Sequence, residues 1–194
     1  MKVLITCLLL CLSIGSFSQK IIINKVNQDG SRIVSTDAVT ANTGLLDRDP
    51  LLFAVMAYVS PDKEIQYYLS VRINSMESLT IPQNGIILFK TISNKVIECK
   101  QQLDDYKTQD ILGTYLPMIG VRVHTASGMY PISGDDLMTL SSEGITKVRI
   151  ETEMRNIDSE YSAKKGVYLA RELAKRIYLV NQMATKKSDI REGF

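Results

Sequence analysis

The chain reads as an α+β domain: a curved antiparallel β-sheet built from hairpins, with a short helix and a long C-terminal helix packed on it. Three observations carry this reading. Turn signals separate short apolar runs up to residue 132. Ile65, Tyr67, Leu69, Val71 and Ile73 alternate with Gln66, Tyr68, Ser70 and Arg72, the period of a half-buried strand. Ala163, Val167, Ala170, Leu173, Ala174, Ile177 and Val180 recur at helical spacing. An antiparallel sheet with one apolar face needs a cover, and this last segment is the long helix available to supply it. A β-sandwich with an appended helix is the alternative.

Ile21-Ile22-Ile23 and Ser31 to Thr36 flank Gln28-Asp29-Gly30, and Asp-Gly is a hairpin signal. Thr43-Gly44 and Asp47-Arg48-Asp49-Pro50 mark a loop or short helix. Leu51 to Val59 is apolar on both parities, which predicts a central strand covered on both faces. Ser60-Pro61-Asp62-Lys63 then makes a turn into the alternating strand. Ile86 to Thr91 and Lys95 to Lys100 form a hairpin about Ser93-Asn94. Pro117 to Thr125 and Met129 to Ile132 read as a further hairpin about Ala126-Ser127-Gly128, with Ile119, Val121 and Val123 inward and Arg122 and His124 outward. Ser133 followed by Asp136 is a helix-start pattern, since a hydroxyl caps a free N–H and an acid suits the positive end of the dipole. That helix should end near Gly144. Ile145 to Thr152 returns to strand alternation, a polar linker follows, and Lys186 to Phe194 reads as a flexible tail.

Composition bounds the rest. The 194 residues hold 23 Lys plus Arg and 21 Asp plus Glu, a formal charge of +2, with 45% hydrophobic and 23% charged residues. That is the balance of one ordinary globular domain, neither disordered nor multiply membrane-spanning. A chain of this size buries roughly 70% of the surface its unfolded form exposes, enough to hold a core without disulfide or metal.

Residues 1–18 read as a secretory signal peptide. Lys2 gives the positive start, Val3 to Ile14 the apolar run, and Ser16 and Ser18 the small residues before a cut ahead of Gln19. The run is too short for a spanning helix, which needs about 20 apolar residues. Cys7 and Cys11 belong to this apolar run, so the folded part, residues 19–185, keeps Cys99 alone and no internal disulfide. The expected location is therefore the periplasm, the cell surface or the medium.

The segment Met129-Tyr130-Pro131-Ile132-Ser133, with Leu137 and Leu140 and then Gly144 to Glu151, resembles modules of small exported bacterial proteins of uncharacterised families. The resemblance spans 129–151. It implies a shared strand, capped helix and strand in a bacterial exported protein, and it carries no catalytic residues.

The usual chemistries lack their residues. His124 is the one histidine, which leaves no zinc ligand set. Asp47 and Asp49, or Asp104 and Asp105, offer calcium-type oxygens without the glycine and distal glutamate of an EF-hand loop. Cys99 shares parity with Ile97 and reads as a small core residue, not a nucleophile paired with His124. Ser127 reads as a turn residue, and no phosphate-loop glycine pattern is present. No metal or cofactor is expected. Tyr58, Tyr67, Tyr68, Tyr115 and Tyr130 are of a type that stacks on ligands, though tyrosine is also ordinary strand packing.

Charge is segregated: residues 163–194 carry eight bases and three acids, so the last helix is basic while the rest is mildly acidic. Its Lys and Arg read as the solvated face of a packed helix, the alternative being attachment to an anionic membrane surface. Nucleic acid is not an expected partner of an exported, near-neutral chain. The reading that follows is a non-enzymatic exported binding or interaction module, acting on a protein or small ligand. A small hydrolase using loop carboxylates, with His124 or Asp47 and Asp49, and a peripheral envelope-membrane protein are the alternatives.

Overall fold

The structure is a computed structural model and describes residues 20–41, 49–101, 111–116 and 121–186, of which 111–116 and 121–123 are described for the backbone only. The expected leader, most of the 43–50 loop and all of the tail beyond Lys186 lie outside these residues.

Two antiparallel sheets share one core. The larger orders its strands β1 (Ile21–Val26), β2 (Arg32–Thr36), β4 (Leu51–Val59), β5 (Ile65–Ser75), β9 (Val121–Ile132) and β8 (Ile111–Leu116), and the short β3 (Val39–Thr40) also pairs with β4. The smaller orders β11 (Ile157–Glu160), β10 (Ile145–Ile150), β6 (Ile86–Thr91) and β7 (Val96–Lys100). Helix α1 (Gly134–Glu143) joins β9 to β10, and α2 (Ala163–Thr185) closes the chain. The α+β architecture with a C-terminal helix on an open sheet is as the patterns predict, with the strands divided between two sheets instead of one.

Strand pairing explains which side chains go inward. Leu51, Phe53, Val55 and Ala57 of β4 stand opposite Ile73, Val71, Leu69 and Tyr67 of β5, so one face of the larger sheet is almost wholly apolar. The smaller sheet meets this face, with the Phe53 and Phe89 rings 5.8 Å apart. Helix α2 covers the same face with Leu169, Ala170, Leu173, Ile177 and Val180, all buried, and Tyr67 donates to Asn181 Oδ1 at 2.6 Å. The other face of β4 is less covered than the predicted two-sided burial: Leu52, Met56 and Tyr58 are half-buried.

Four sequence expectations change. The hairpin about Ala126-Ser127-Gly128 does not exist; β9 runs unbroken and pairs with β5 from His124 opposite Ser75 to Ile132 opposite Tyr67. Glycine at 128 serves packing, since a Cβ there would lie 2.9 Å from Tyr130 Cε2 and 3.1 Å from Gln101 Oε1. With no turn to reset parity, His124 shares the core face with Ala126 and Tyr130 instead of pointing outward. The buried face of α2 is rotated from the expected stripe: Ala163, Val167 and Ala174 are exposed, while Gly166 and Leu169 are buried. Gly166 permits this contact, because a Cβ there would lie 2.3 Å from the Ile145 carbonyl oxygen. Finally, the polar linker after Thr152 contains β11, which pairs with β10.

Candidate functional site

The chain turns sharply between β4 and β5, where Lys63 N–H donates to Ser60 O at 2.9 Å and Glu64 N–H to Ser60 Oγ at 3.1 Å. This corner, the end of β7 and the β9-to-α1 junction enclose a cleft of about 880 Å³. Tyr58, Glu64, Ile65, Gln66 and Tyr67 line one side, Glu98, Cys99 and Lys100 another, and Pro131, Ile132, Ser133 and Gly134 the third. A cleft with aromatic and apolar walls and a few charges is the usual form of a recognition site.

Of its hydroxyl and thiol groups, Ser60 accepts from Glu64 N–H in the corner, and Ser133 and Cys99 have structural places. Ser133 caps α1 as predicted, accepting from Asp136 N–H at 3.1 Å and donating to Asp136 Oδ2 at 2.8 Å. Cys99 is buried, and burial first, then the charges of Asp136 and Glu98, push its thiol up to about 12, so it is a neutral thiol at ordinary pH. The tyrosine rings divide by location. Tyr58 and Tyr67 line the cleft. Tyr68 lies on the open face of the larger sheet, its phenol raised by burial and by Tyr58. Tyr130 is fully buried, and desolvation raises its phenol strongly. The side chain of Tyr115 lies outside the described residues.

Neither Asp49 nor His124 lines the cleft. Asp49 accepts from Arg155 Nη2 at 2.7 Å, and the same guanidinium donates to Glu77 at 3.2 Å. These bonds, that to Asp49 foremost, hold Arg155 above its ordinary value. The three side chains line a separate cavity of about 270 Å³ with Ser75 and Met76. Asp47, Asp104, Asp105 and the side chain of Arg122 lie outside the described residues. Ser127 sits in β9 opposite Arg72, away from the core. Among the described residues no three His, Cys, Asp or Glu side chains are placed to hold a metal ion, and no helix is long and apolar enough to cross a membrane.

Sequence reasoning missed Glu64, Glu98, Lys100 and Pro131. Nothing local marks them, since the topology brings together residues far apart in the chain. Of the lining, Tyr58 and Tyr67 carried a signal as aromatics in strands, Cys99 as a small core residue and Ser133 as a helix cap. Comparison with protein-family models, with curated proteins and with solved structures finds no match to this chain.

Proposed function

We propose that this chain is an exported, non-enzymatic binding module whose ligand site is the cleft between the β4–β5 corner, β7 and the start of α1. One observation carries the reading: the cleft is lined by Tyr58 and Tyr67 together with Glu64, Glu98 and Lys100, while Ser133 is a helix cap and Cys99 a neutral buried thiol. Such a site can hold and orient a ligand, and among the described residues that line it no hydroxyl or thiol apart from the capping Ser133 is paired with a base as covalent catalysis requires.

Burial of Leu173 and Ile177 supports this over the membrane-surface alternative, because the side chains that would enter lipid are part of the core. The test is a titration of the isotope-labelled protein with short peptides and oligosaccharides. Amide shifts confined to the cleft residues are expected. Turnover of a nitrophenyl ester or glycoside that is lost in Asp49→Asn would overturn the reading in favour of a hydrolase. Export is tested by N-terminal sequencing of protein recovered from outside the cytoplasm, with Gln19 as the expected first residue.

A further inference from the structure

We infer that the cleft takes an extended peptide segment, which adds to the edge of β7 that no described strand pairs with, as a further antiparallel strand of the smaller sheet. The inference rests on the cleft being the ligand site and specifies what enters it.

The hydrogen-bond register of β7 supplies the first argument. Thr91 N–H donates to Lys95 O at 2.9 Å and Gln101 N–H to Gly85 O at 3.1 Å, and these bonds bracket the β6–β7 ladder. Hydrogen-bonded positions alternate along an antiparallel pair, so Ile97 and Cys99 bond to β6. The N–H and C=O groups of Val96, Glu98 and Lys100 therefore point away from it. Among the described strands β7 pairs with β6 alone, and these three residues are exposed. A peptide strand meets here the donors and acceptors that drive strand addition.

The facing wall makes β7 the pairing edge. From Ala126 onward β9 pairs with β5 alone among the described strands, so its other edge also borders the slot. That edge carries Pro131, which has no N–H to give. The two strands come together where Gln101 Oε1 approaches Gly128. There the Gln101 amide and the Tyr130 hydroxyl are buried behind the cleft lining with no hydrogen-bond partner.

Charge fixes the peptide's chemistry. Glu98 and Lys100 project to the same side two residues apart. An antiparallel partner that complements them carries an acid opposite Lys100 and, two positions later, a base opposite Glu98, with an apolar residue opposite Val96. The probe is the acetylated and amidated heptapeptide Thr-Glu-Tyr-Lys-Val-Val-Thr, titrated into the full-length protein with amide shifts as the readout.

Shifts are expected along β7 and at Tyr58 and Tyr67. N-methylation of the peptide lysine, which removes the N–H facing Glu98, should weaken binding by about tenfold. The double exchange Glu98→Lys with Lys100→Glu should reverse the preference between this peptide and its charge-swapped form, by about threefold. Equal affinity of the methylated and plain peptides would overturn strand addition while leaving the cleft as a ligand site. No shift at millimolar peptide, or a dimer through β7 that the peptide does not displace, would also overturn it. Saccharide binding in the cleft without any peptide binding would separate this failure from that of the broader reading.

Discussion

Arg32 of β2 caps the far end of α2, its Nη1 donating to the Met183 carbonyl at 2.7 Å and the Lys186 carbonyl at 2.9 Å. The last turn of α2 has no basic residue of its own, so the cation that its free carbonyls and dipole favour comes from the sheet. Nε–H of the same guanidinium donates to Asn24 Oδ1 at 2.9 Å, which ties β1 into the arrangement. Arg32→Ala should lower unfolding stability by about 2 kcal/mol, since hydrogen bonds to a buried charged donor are lost together with a cap. Hydrogen exchange should show the last turn of α2 opening first. Arg32→Lys should not restore protection, because one ammonium lacks the fork that reaches three acceptors. An unchanged melting curve for Arg32→Ala would show that the cap has no energetic weight.

Arg176 binds α2 to the corner after β2. It donates from Nε to the Asp37 carbonyl at 3.0 Å and from Nη1 to Glu172 Oε2 at 3.0 Å, and its Nη2 lies 3.3 Å from Asp37 Oδ1. Glu172 also accepts from Lys175 at 2.7 Å. A buried charge is tolerated while it is paired and becomes costly when a partner is removed. Glu172→Ala should therefore cost about 3 kcal/mol in urea unfolding. The double change Arg176→Met with Glu172→Leu should recover most of that loss, because it removes both charges and keeps the volume. A double variant no more stable than Glu172→Ala would show that the contact to Asp37 carries the energy instead.

How much of this was legible in the sequence depended on whether the cause was local. The period-two run of β5, the central place of β4, the inward Cys99 and the Ser133 cap are set by residues within one segment, and all are where the patterns put them, though the second face of β4 is less covered than expected. Gly128 was misread because a glycine beside a serine signals a turn, whereas the reason for it is the Tyr130 ring and the side chain of Gln101. The stripe on α2 was misplaced because Glu172 and Arg176 count as polar although their mutual pairing buries them. Strand β11 has only Ile157 as an apolar signal, and its pairing is reinforced by Arg149 and Lys147 across the ladder. The cleft was legible least of all, since it depends on tertiary proximity.

Gly166 brings the backbone of α2 close against that of β10. With a Cβ placed 2.3 Å from the backbone oxygen of Ile145, Gly166→Ala cannot be accommodated by turning a side chain. The helix must lift from the sheet, which also disturbs Leu169 and Ala170. The expected cost is about 3 kcal/mol, against the stabilisation of up to 1 kcal/mol that alanine brings to an ordinary helix interior. Thermal unfolding of Gly166→Ala checks this, and a rise in midpoint would contradict the close contact.

The ion pairs of β10 and β11 predict a pH dependence. Arg149 Nε and Nη2 each donate to an Asp158 oxygen at 2.6 Å, and Lys147 lies 3.4 Å from the same carboxylate. The bond from Arg149 chiefly, aided by Lys147, holds the Asp158 carboxyl below its ordinary value. A carboxyl lowered by folding stabilises the native state above its unfolded pKa, and that contribution disappears as pH falls through the folded value. Wild type should thus exceed Asp158→Asn in urea midpoint at pH 7, with the gap closing below about pH 4. The gap should be modest, because the pair is partly solvated. A gap that persisted unchanged at pH 2 would assign the effect to packing of the side chain and not to its charge.

Cys99 offers a direct chemical check on the non-enzymatic reading. A thiol pushed up to about 12 by burial is neutral at pH 8 and presents almost no thiolate to an alkylating agent. With Cys7 and Cys11 replaced by serine, Cys99 is the thiol that remains. Iodoacetamide at pH 8 should leave it unmodified in the folded protein and label it readily in urea. Cys99→Ala should keep peptide binding, because a small apolar side chain replaces a small apolar one in the floor of the cleft. Rapid native labelling would mean that the floor opens on the timescale of the reaction. Loss of binding in Cys99→Ala together with such labelling would return the thiol to the list of working groups in the cleft.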